Sequence, residues 1–168
     1  EELSQIKNDF CYLFVGHWLK GDPGHDRKDV AMLIKTFCET FKNKAKRNMP
    51  ALILKTSHAG FSIIDRDQMF KKIQDTIAEY GSKIPDIYLL HGDLSDAEMN
   101  SLYNHPKIKA MISFTKGEGF GRPLLEFSIT GKPVIASGWS GHVDFLKHSV
   151  MLPGQLNEIH NSAADQFL

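Results

Sequence analysis

The sequence has 168 residues, of which 42% are hydrophobic and 24% are charged, which is enough for one globular domain with an ordinary core. Lysine plus arginine and aspartate plus glutamate both number 20, so the chain lacks the positive charge typical of proteins that bind nucleic acids or anionic membranes. We therefore expect no nucleic-acid partner. Cys11 and Cys38 lie in apolar contexts without Cys-x-x-Cys spacing, which argues against a disulfide framework or a zinc site and favours a reducing cytoplasm.

The ends of the sequence suggest that it is a piece of a longer protein. It begins "EELSQ" without a methionine and ends "AADQFL" within a helical pattern. No run of 18 or more apolar residues and no basic-then-apolar leader occurs, so neither a transmembrane segment nor a secretory signal is predicted. We expect a cytoplasmic protein, or one peripheral to a membrane in its full-length form.

Short apolar segments, separated by helical patterns, run the length of the chain. Segments whose apolar residues are nearly continuous are predicted to be strands covered on both faces, and they span 10–15, 51–54, 87–90, 110–114 and 133–137. One helical stripe between them consists of Val30, Leu33, Ile34, Phe37 and Phe41. A second stripe consists of Met69, Phe70, Ile73, Ile77 and Tyr80.

Capping signals place two further helices. Residues 95–98 read Ser-Asp-Ala-Glu, the form of a capping box, and predict a helix that runs to about Asn104. Pro123 after Gly121 predicts the first turn of another helix, and Gly131 predicts its end.

Alternating strands and helices predict an α/β fold: a Rossmann-like, doubly wound parallel sheet with helices on both faces. No internal repeat is visible, so residues 1–168 are predicted to form one domain. Ligands of such sheets bind outside the carboxyl ends of the strands. The loops that follow the strands are therefore the candidate site.

The loop after the first predicted strand contains Gly16, where backbone can approach a ligand closely, and Arg27 and Lys28 at a helix start. Basic side chains are unfavourable at the positive end of a helix unless an anion binds there. From the residues alone, the favoured interpretation is that Asp26 or Asp29 caps the helix and both basic side chains are solvated. The alternative is an anion site.

Two acidic clusters invite a metal-site interpretation, which we do not adopt. The cluster at residues 22–29, with Asp22, His25, Asp26 and Asp29, lies in a Gly- and Pro-broken loop that implies no converging set of ligands. The triplet Asp65-Arg66-Asp67 is predicted to cap the start of a helix. No metal ligand is assigned.

The loop after the strand at 110–114 reads Thr-Lys-Gly-Glu-Gly-Phe-Gly over residues 115–121. Its glycines expose N–H groups, and the helix that begins near Pro123 is expected to aim further N–H groups at the same place, which makes a plausible diphosphate cradle. The spacing matches neither a dinucleotide fingerprint nor a P-loop.

Glu118 lies in this loop and Glu126 lies about one turn into the following helix. A carboxylate beside bound phosphates is repelled unless it accepts hydrogen bonds from neutral hydroxyls, and sugar and ribose hydroxyls meet that requirement. Taken without the rest of the pattern, the simpler interpretation is that Glu126 stabilises the helix N-terminus and Glu118 is merely exposed.

The stretch "EGFGRPLLEFSITGKPVIASGWSGHVDFL", residues 118–146, resembles the C-terminal, nucleotide-sugar-binding half of the retaining GT-B glycosyltransferases of family 4. The signature of that family is Glu, seven residues, Glu, followed by a small-residue turn. "YLFVGHWLKG…RKD" resembles the family's first strand and phosphate loop, and residues 87–114 resemble the stretch that leads to the signature. The resemblance thus extends over nearly the whole chain.

The resemblance implies that Glu118 contacts hydroxyls of the donor sugar, which makes it the candidate catalytic residue, and that Glu126 holds the ribose hydroxyls. Lys28 matches the lysine that contacts the donor diphosphate, and Gly16 matches the glycine of the phosphate turn. The residues whose backbone amides would line the sugar and phosphate site are Gly119, Phe120 and Gly121.

His17 departs from the family pattern, because many members have arginine there. Arg27 or Arg122 is the expected substitute for that part of the cationic clamp. Leu94 aligns with the segment that packs on the nucleotide base.

The resemblance implies the donor-binding half of a retaining, metal-independent hexosyltransferase. Its substrate would be a UDP-, GDP- or ADP-sugar, without a further cofactor. The acceptor, a carbohydrate, lipid or protein, would bind through an N-terminal domain absent from this chain, so the chain alone would transfer poorly. The alternatives are a sugar-nucleotide epimerase of GT-B fold and a non-catalytic nucleotide-sugar-binding or interaction module.

Overall fold

The computed structural model describes residues 2–19, 23–58 and 60–161, and in this part of the chain it contains a six-stranded parallel sheet. The strands are β1 (Cys11–Val15), β2 (Ala51–Lys55), β3 (Ile87–Leu90), β4 (Ile108–Ser113), β5 (Val134–Ser137) and β6 (Val150–Leu152). The α-helices are α1 (Val30–Phe41), α2 (Ile63–Ile77), α3 (Asp96–Asn104) and α4 (Arg122–Ser128).

The predicted α/β fold is confirmed. Each predicted strand segment coincides with one of β1 to β5, whereas β6 was not predicted. Its apolar run is only three residues long, which is shorter than the runs that indicate a strand, and Val150 is exposed. The helix suggested by the terminal "AADQFL" falls at 163–168, outside the described residues.

Helices cover both faces of the sheet, as a doubly wound fold requires. On one face, Leu13 and Ile53 pack with Leu102 of α3 and Phe127 of α4. On the other face the buried side chains come from alternate strand positions and from α1 and α2, and they include Phe14, Leu52, Leu54, Leu33 and Met69. The central strands β1, β2 and β4 are therefore largely buried on both sides, which explains their nearly continuous apolar sequences.

The strand order is β3-β2-β1-β4-β5-β6. The chain moves outward from β1 to β3, then returns to place β4 on the other side of β1. The loops that follow β1 and β4 consequently leave neighbouring strands in opposite directions, and a crevice opens between them at the carboxyl edge. This switch point is where a ligand of such a sheet binds.

The predicted N-cap is correct for α3 and wrong for α2. Ser95 and Glu98 form the complete predicted capping box at the start of α3. In α2 the N-cap is Ser62, whose hydroxyl accepts the Asp65 N–H at 3.1 Å, so the prediction that the Asp65-Arg66-Asp67 triplet caps this helix is wrong. The Asp65 carboxylate instead turns inward and lies 2.8 Å from His91 Nε2.

The predicted stripe of α2 is also correct only in part. Met69 and Ile73 are buried, but Phe70 is 53% exposed and Tyr80 lies beyond the helix end at Ile77. Within the described residues, no helix has both the length and the apolar character needed to cross a membrane.

Candidate functional site at the carboxyl edge of the sheet

Two loops meet at the switch point, residues 16–29 after β1 and residues 114–121 after β4. The Lys116 N–H donates to the Arg27 carbonyl at 2.8 Å, and the Arg27 guanidinium donates to the Gly117 carbonyl, also at 2.8 Å. The Lys116 ammonium donates to the carbonyl of Asp26 at 3.1 Å. These bonds connect the two loops directly.

Lys28 and Glu118 form an ion pair across this crevice. The Lys28 ammonium donates to Glu118 Oε1, and the two side chains are only 9% and 11% exposed. Arg27 Nη1 lies 3.7 Å from Glu118 Oε2. Burial lowers the pKa of Lys28, and the hydrogen bond to Glu118 opposes that shift. The interpretations that Lys28 is solvated and that Glu118 is merely exposed are therefore wrong.

The backbone at Asp29 positions Lys28. Asp29 has φ 54° and ψ 39°, a left-handed conformation that Asp tolerates better than most residues, and α1 begins immediately after it. Its carboxylate lies 3.3 Å from the Lys116 ammonium and makes no cap bond. Of the two predicted caps, Asp26 is the one that reaches the helix, because its Oδ1 accepts the Val30 N–H at 3.4 Å.

Asp26 has a buried carboxyl group, which leads to a testable prediction. It is 1% exposed, and its Oδ2 has no hydrogen-bond partner among the described residues. Burial, and next the negative charge of Asp29, raise the pKa of Asp26 above its ordinary value. The folded protein therefore holds this proton more tightly than the unfolded chain, and stability is lost as pH rises from the ordinary carboxyl pKa through the folded one.

Asp26→Asn should accordingly stabilise the protein at neutral pH, and the gain should shrink as pH falls towards the ordinary carboxyl pKa. Urea unfolding of both proteins at a series of pH values measures this difference. Asp67→Asn, at an exposed carboxylate paired with Arg66, is the matched control and should show no such trend. A variant that is less stable than wild type at pH 7 would contradict a buried charged Asp26.

A turn after β5, residues 138–141, makes hydrogen bonds to the backbone of Glu118. The sequence analysis assigned no role to this turn. The Ser140 hydroxyl lies 3.0 Å from the Glu118 N–H and 2.8 Å from its carbonyl. The Gly141 N–H donates to the same carbonyl at 3.0 Å, and the Trp139 indole donates to the Lys116 carbonyl at 2.9 Å. The small residues of "GWSGH" were the available signal.

The backbone between Glu118 and α4 exposes a run of N–H groups. The amides of Gly119, Phe120 and Gly121 make no hydrogen bond with the described part of the chain. Gly121 has φ 84°, which favours glycine. The helix contributes less than predicted, because Pro123 has no N–H and the amides of Leu124 and Leu125 both bond to the Gly121 carbonyl. The candidate cradle is thus the loop itself.

Glu126 forms a separate polar group one turn into α4. Its carboxylate accepts the Tyr103 hydroxyl at 3.2 Å and pairs with Arg122, whose guanidinium also lies 3.4 Å from Asp96. Burial, and next the charge of Glu126, raise the pKa of Tyr103. Of the two arginines named as substitutes at the cationic clamp, the structure places Arg27 beside Lys28, whereas Arg122 points along α4 towards Glu126.

The remaining predicted site residues lie around this centre. A Cβ on Gly16 would be 3.1 Å from the Phe14 ring and 3.5 Å from Lys28 Cε, so the absence of a side chain there makes room for the lysine. His17 is exposed, and its Nδ1 lies 3.1 Å from the Ser57 hydroxyl on the β2 side. Leu94 is partly buried against the core beneath α3 and α4.

Two other kinds of candidate ligand site were considered in the described part of the chain, a second hollow and a metal-binding cluster. A hollow of about 1170 Å³ lies at the opposite, amino edge of β1 to β3, with Lys46, Arg47 and Lys83 around it. These residues precede β2 and β3, at the edge opposite to the one where ligands of a parallel sheet bind. No group of three or more His, Cys, Asp or Glu within residues 2–19, 23–58 and 60–161 is placed to hold a metal ion, and Asp22 lies outside these ranges.

Sheet order, parallel strands and the facing loops define a Rossmann-like α/β domain with its ligand crevice between β1 and β4. Similar solved structures are GT-B glycosyltransferases. The C-terminal domain of a glycosyl transferase group 1 family protein (LpcC) from Francisella tularensis has a TM-score of 0.64 and 16% identity, with 99% of this chain and 75% of that chain covered.

Other similar structures are larger proteins. HepE of Anabaena, solved in complex with UDP-glucose, has a TM-score of 0.58 and 18% identity, and the match covers 92% of this chain and 37% of that one. The N-terminal domain of trehalose-6-phosphate phosphatase from Candida albicans has a TM-score of 0.58 and 18% identity, with coverage of 84% and 30%. The chain therefore spans about a third of the length of these two proteins. No protein-family model and no curated protein sequence matches the chain.

Proposed function

We propose that this chain is the donor-binding domain of a retaining glycosyltransferase that moves a hexosyl group from a nucleotide sugar to an acceptor. The observation that carries the proposal is the meeting of Lys28 with Glu118 at the switch point, beside the free amides of residues 119–121. This arrangement offers a cation and N–H donors for a diphosphate and carboxylates for hydroxyls.

Each part of a nucleotide sugar has a partner in this arrangement. Lys28, Arg27 and the amides of residues 119–121 would bind the diphosphate, with Gly16 leaving room for the lysine. Glu118 would accept hydroxyls of the sugar and Glu126 those of the ribose. His17, Arg122 and Leu94 lie around these groups, and we assign Leu94 to the base. The UDP-glucose complex of HepE, which shares this fold, supports a sugar nucleotide as the ligand.

The same groups would favour departure of the nucleoside diphosphate. Negative charge develops on the leaving phosphates as the bond to the sugar breaks, so a buried cation and fixed N–H groups stabilise the transition state more than the ground state. We propose that this charge stabilisation comes from the protein itself, without a metal or other cofactor. Glu118, which would touch the sugar, is the candidate catalytic residue.

The acceptor, whether a carbohydrate, a lipid or a protein, would bind through an N-terminal domain outside this chain. Transfer requires the donor and the acceptor to be held in register, and most of the effective concentration that lowers the barrier comes from that positioning. We therefore expect donor binding, with little or no transfer, from the isolated domain.

Calorimetric titration with UDP-, GDP- and ADP-sugars tests the proposal. We expect at least one of them to bind, and Glu126→Ala to weaken that binding roughly tenfold or more, because hydrogen bonds to a carboxylate are stronger than neutral ones. Tyr103→Phe is the matched control: it removes the Tyr103 bond to Glu126 but leaves the carboxylate in place.

The control separates ligand binding from structural support. If Glu126 contacts ribose, Tyr103→Phe should keep most of the affinity. Equal losses in Glu126→Ala and Tyr103→Phe would mean that the bond between these residues, and not a ligand contact, is what matters. Absence of binding to all three sugar nucleotides by the folded domain would favour an interaction module instead.

A further inference from the structure

Two lysines of the crevice are each paired with a carboxylate. The cluster formed by Asp26, Arg27, Lys28, Asp29, Lys116 and Glu118 contains three basic and three acidic side chains. Lys116 is paired with Asp29, and Lys28 is paired with Glu118. Among the described residues, an incoming diphosphate therefore meets two lysines that each already have a carboxylate partner.

Glu118 occupies the position on Lys28 that an anionic ligand would need. Lys28 is 7% exposed, and Glu118 contacts its ammonium from the opposite loop, 90 positions away in sequence. A phosphate and a carboxylate repel each other when both lie against one buried cation. The Glu118 carboxylate must therefore release Lys28 when a diphosphate binds.

A released carboxylate requires new hydrogen-bond donors, because its side chain is only 11% exposed to water. Arg27 Nη1 donates to the Gly117 carbonyl and lies 3.7 Å from the second carboxylate oxygen, so Arg27 supplies charge to Glu118 but no hydrogen bond. Sugar hydroxyls would supply the missing donors. A nucleoside diphosphate without a sugar has no hydroxyl at this point, since its ribose lies on the side of Glu126 in the proposed function.

We propose that Glu118 competes with the donor diphosphate for Lys28 and thereby makes the site prefer a nucleotide that carries a sugar over the nucleoside diphosphate alone. This inference rests on the proposed function, because it takes the ligand to be a sugar nucleotide. Glu118 releases Lys28 to the diphosphate without loss only when sugar hydroxyls donate hydrogen bonds to its carboxylate. The same competition disfavours the nucleoside diphosphate product after transfer.

Inorganic pyrophosphate provides a probe that has neither base nor sugar. Titrated calorimetrically, it should bind Glu118→Gln roughly tenfold or more tightly than wild type, because the amide accepts from Lys28 without repelling the anion. Glu118→Asp keeps the negative charge on a side chain that is one methylene shorter, and should show no such gain. Equal pyrophosphate affinity in wild type and folded Glu118→Gln overturns the proposal.

A measurement on the wild-type protein keeps the test independent of any variant. The preferred sugar nucleotide should bind the wild-type protein roughly tenfold or more tightly than its nucleoside diphosphate. A nucleoside diphosphate that binds wild type as tightly as the sugar nucleotide overturns the proposal.

The outcomes also separate this inference from the proposed function. Pyrophosphate binding that rises in Glu118→Gln, in a domain that binds no sugar nucleotide, would support the competition for Lys28 and remove the sugar-nucleotide ligand. Sugar-nucleotide binding without any gain for pyrophosphate would leave the proposed function intact and remove the competition.

Discussion

Replacing Lys28 with methionine should lower the free energy of unfolding by about 3 kcal/mol, because it leaves the buried Glu118 carboxylate without its closest cation. The loss is placed at the lower end of the range for broken buried pairs since Arg27 remains 3.7 Å from the second carboxylate oxygen. Donor binding should be lost with it. Urea unfolding followed by circular dichroism measures the stability, and calorimetry measures the binding.

A double-mutant cycle identifies the cause of that loss. Lys28→Met combined with Glu118→Gln removes both charges and should recover most of the stability while donor binding stays absent. Lys35→Met is the matched control, since Lys35 pairs with Glu79 on the surface at 3.0 Å and its loss should cost less than about 1 kcal/mol. A Lys28 variant as stable as the Lys35 variant would show that the buried pair does not form.

Much of the fold was predictable because short stretches of sequence indicate individual strands and helix starts. Continuous apolar runs indicated β1 to β5, and the capping box at Ser95 and the Gly121-Pro123 pair marked the starts of α3 and α4. Phe70 was placed on the wrong face because helical spacing identifies a stripe but not its width. Val150 to Leu152 gave no signal since so short a strand is specified by its neighbour β5.

The site was predictable by location but not by its contacts. The rule that ligands lie beyond the carboxyl ends of parallel strands selected the loops that hold Lys28 and Glu118. Their direct pairing depends on β4 lying next to β1, which is a property of the sheet order and of no local pattern. The same applies to Ser140 and Gly141, whose contacts with Glu118 follow from the position of β5 beside β4.

The prediction that Lys28 is solvated failed for a physical reason that also bears on function. An exposed lysine at a helix start is the ordinary outcome for a single loop considered alone, because the ammonium keeps its hydration and its repulsion by the helix dipole is small and screened by salt. Here the loop after β4 covers it and brings Glu118 to it, so the lysine is buried with a partner. A buried cation that can exchange its partner is what an anion site requires.

Gly141→Ala should disrupt the turn that supports Glu118, with a loss of stability of about 1–3 kcal/mol, as for other overpacked sites. A Cβ at Gly141 would clash with the Gly119 carbonyl oxygen and would lie 3.0 Å from that of Glu118. Both atoms are backbone, so the turn or the loop must move as a whole. Affinity for the sugar nucleotide should fall roughly tenfold or more with that movement.

Gly117→Ala is the matched control for this variant. It adds the same methyl group to the same loop, where nothing lies within 4 Å of the new Cβ, and should leave stability unchanged or slightly raised. Thermal unfolding and calorimetry on both variants make the comparison. Full stability and full binding in Gly141→Ala would contradict the contact between the two loops. Loss of binding at full stability would mean that the loop moves to accommodate the methyl group without strain. It would also show that the turn formed by Ser140 and Gly141 is what holds Glu118 in its binding position.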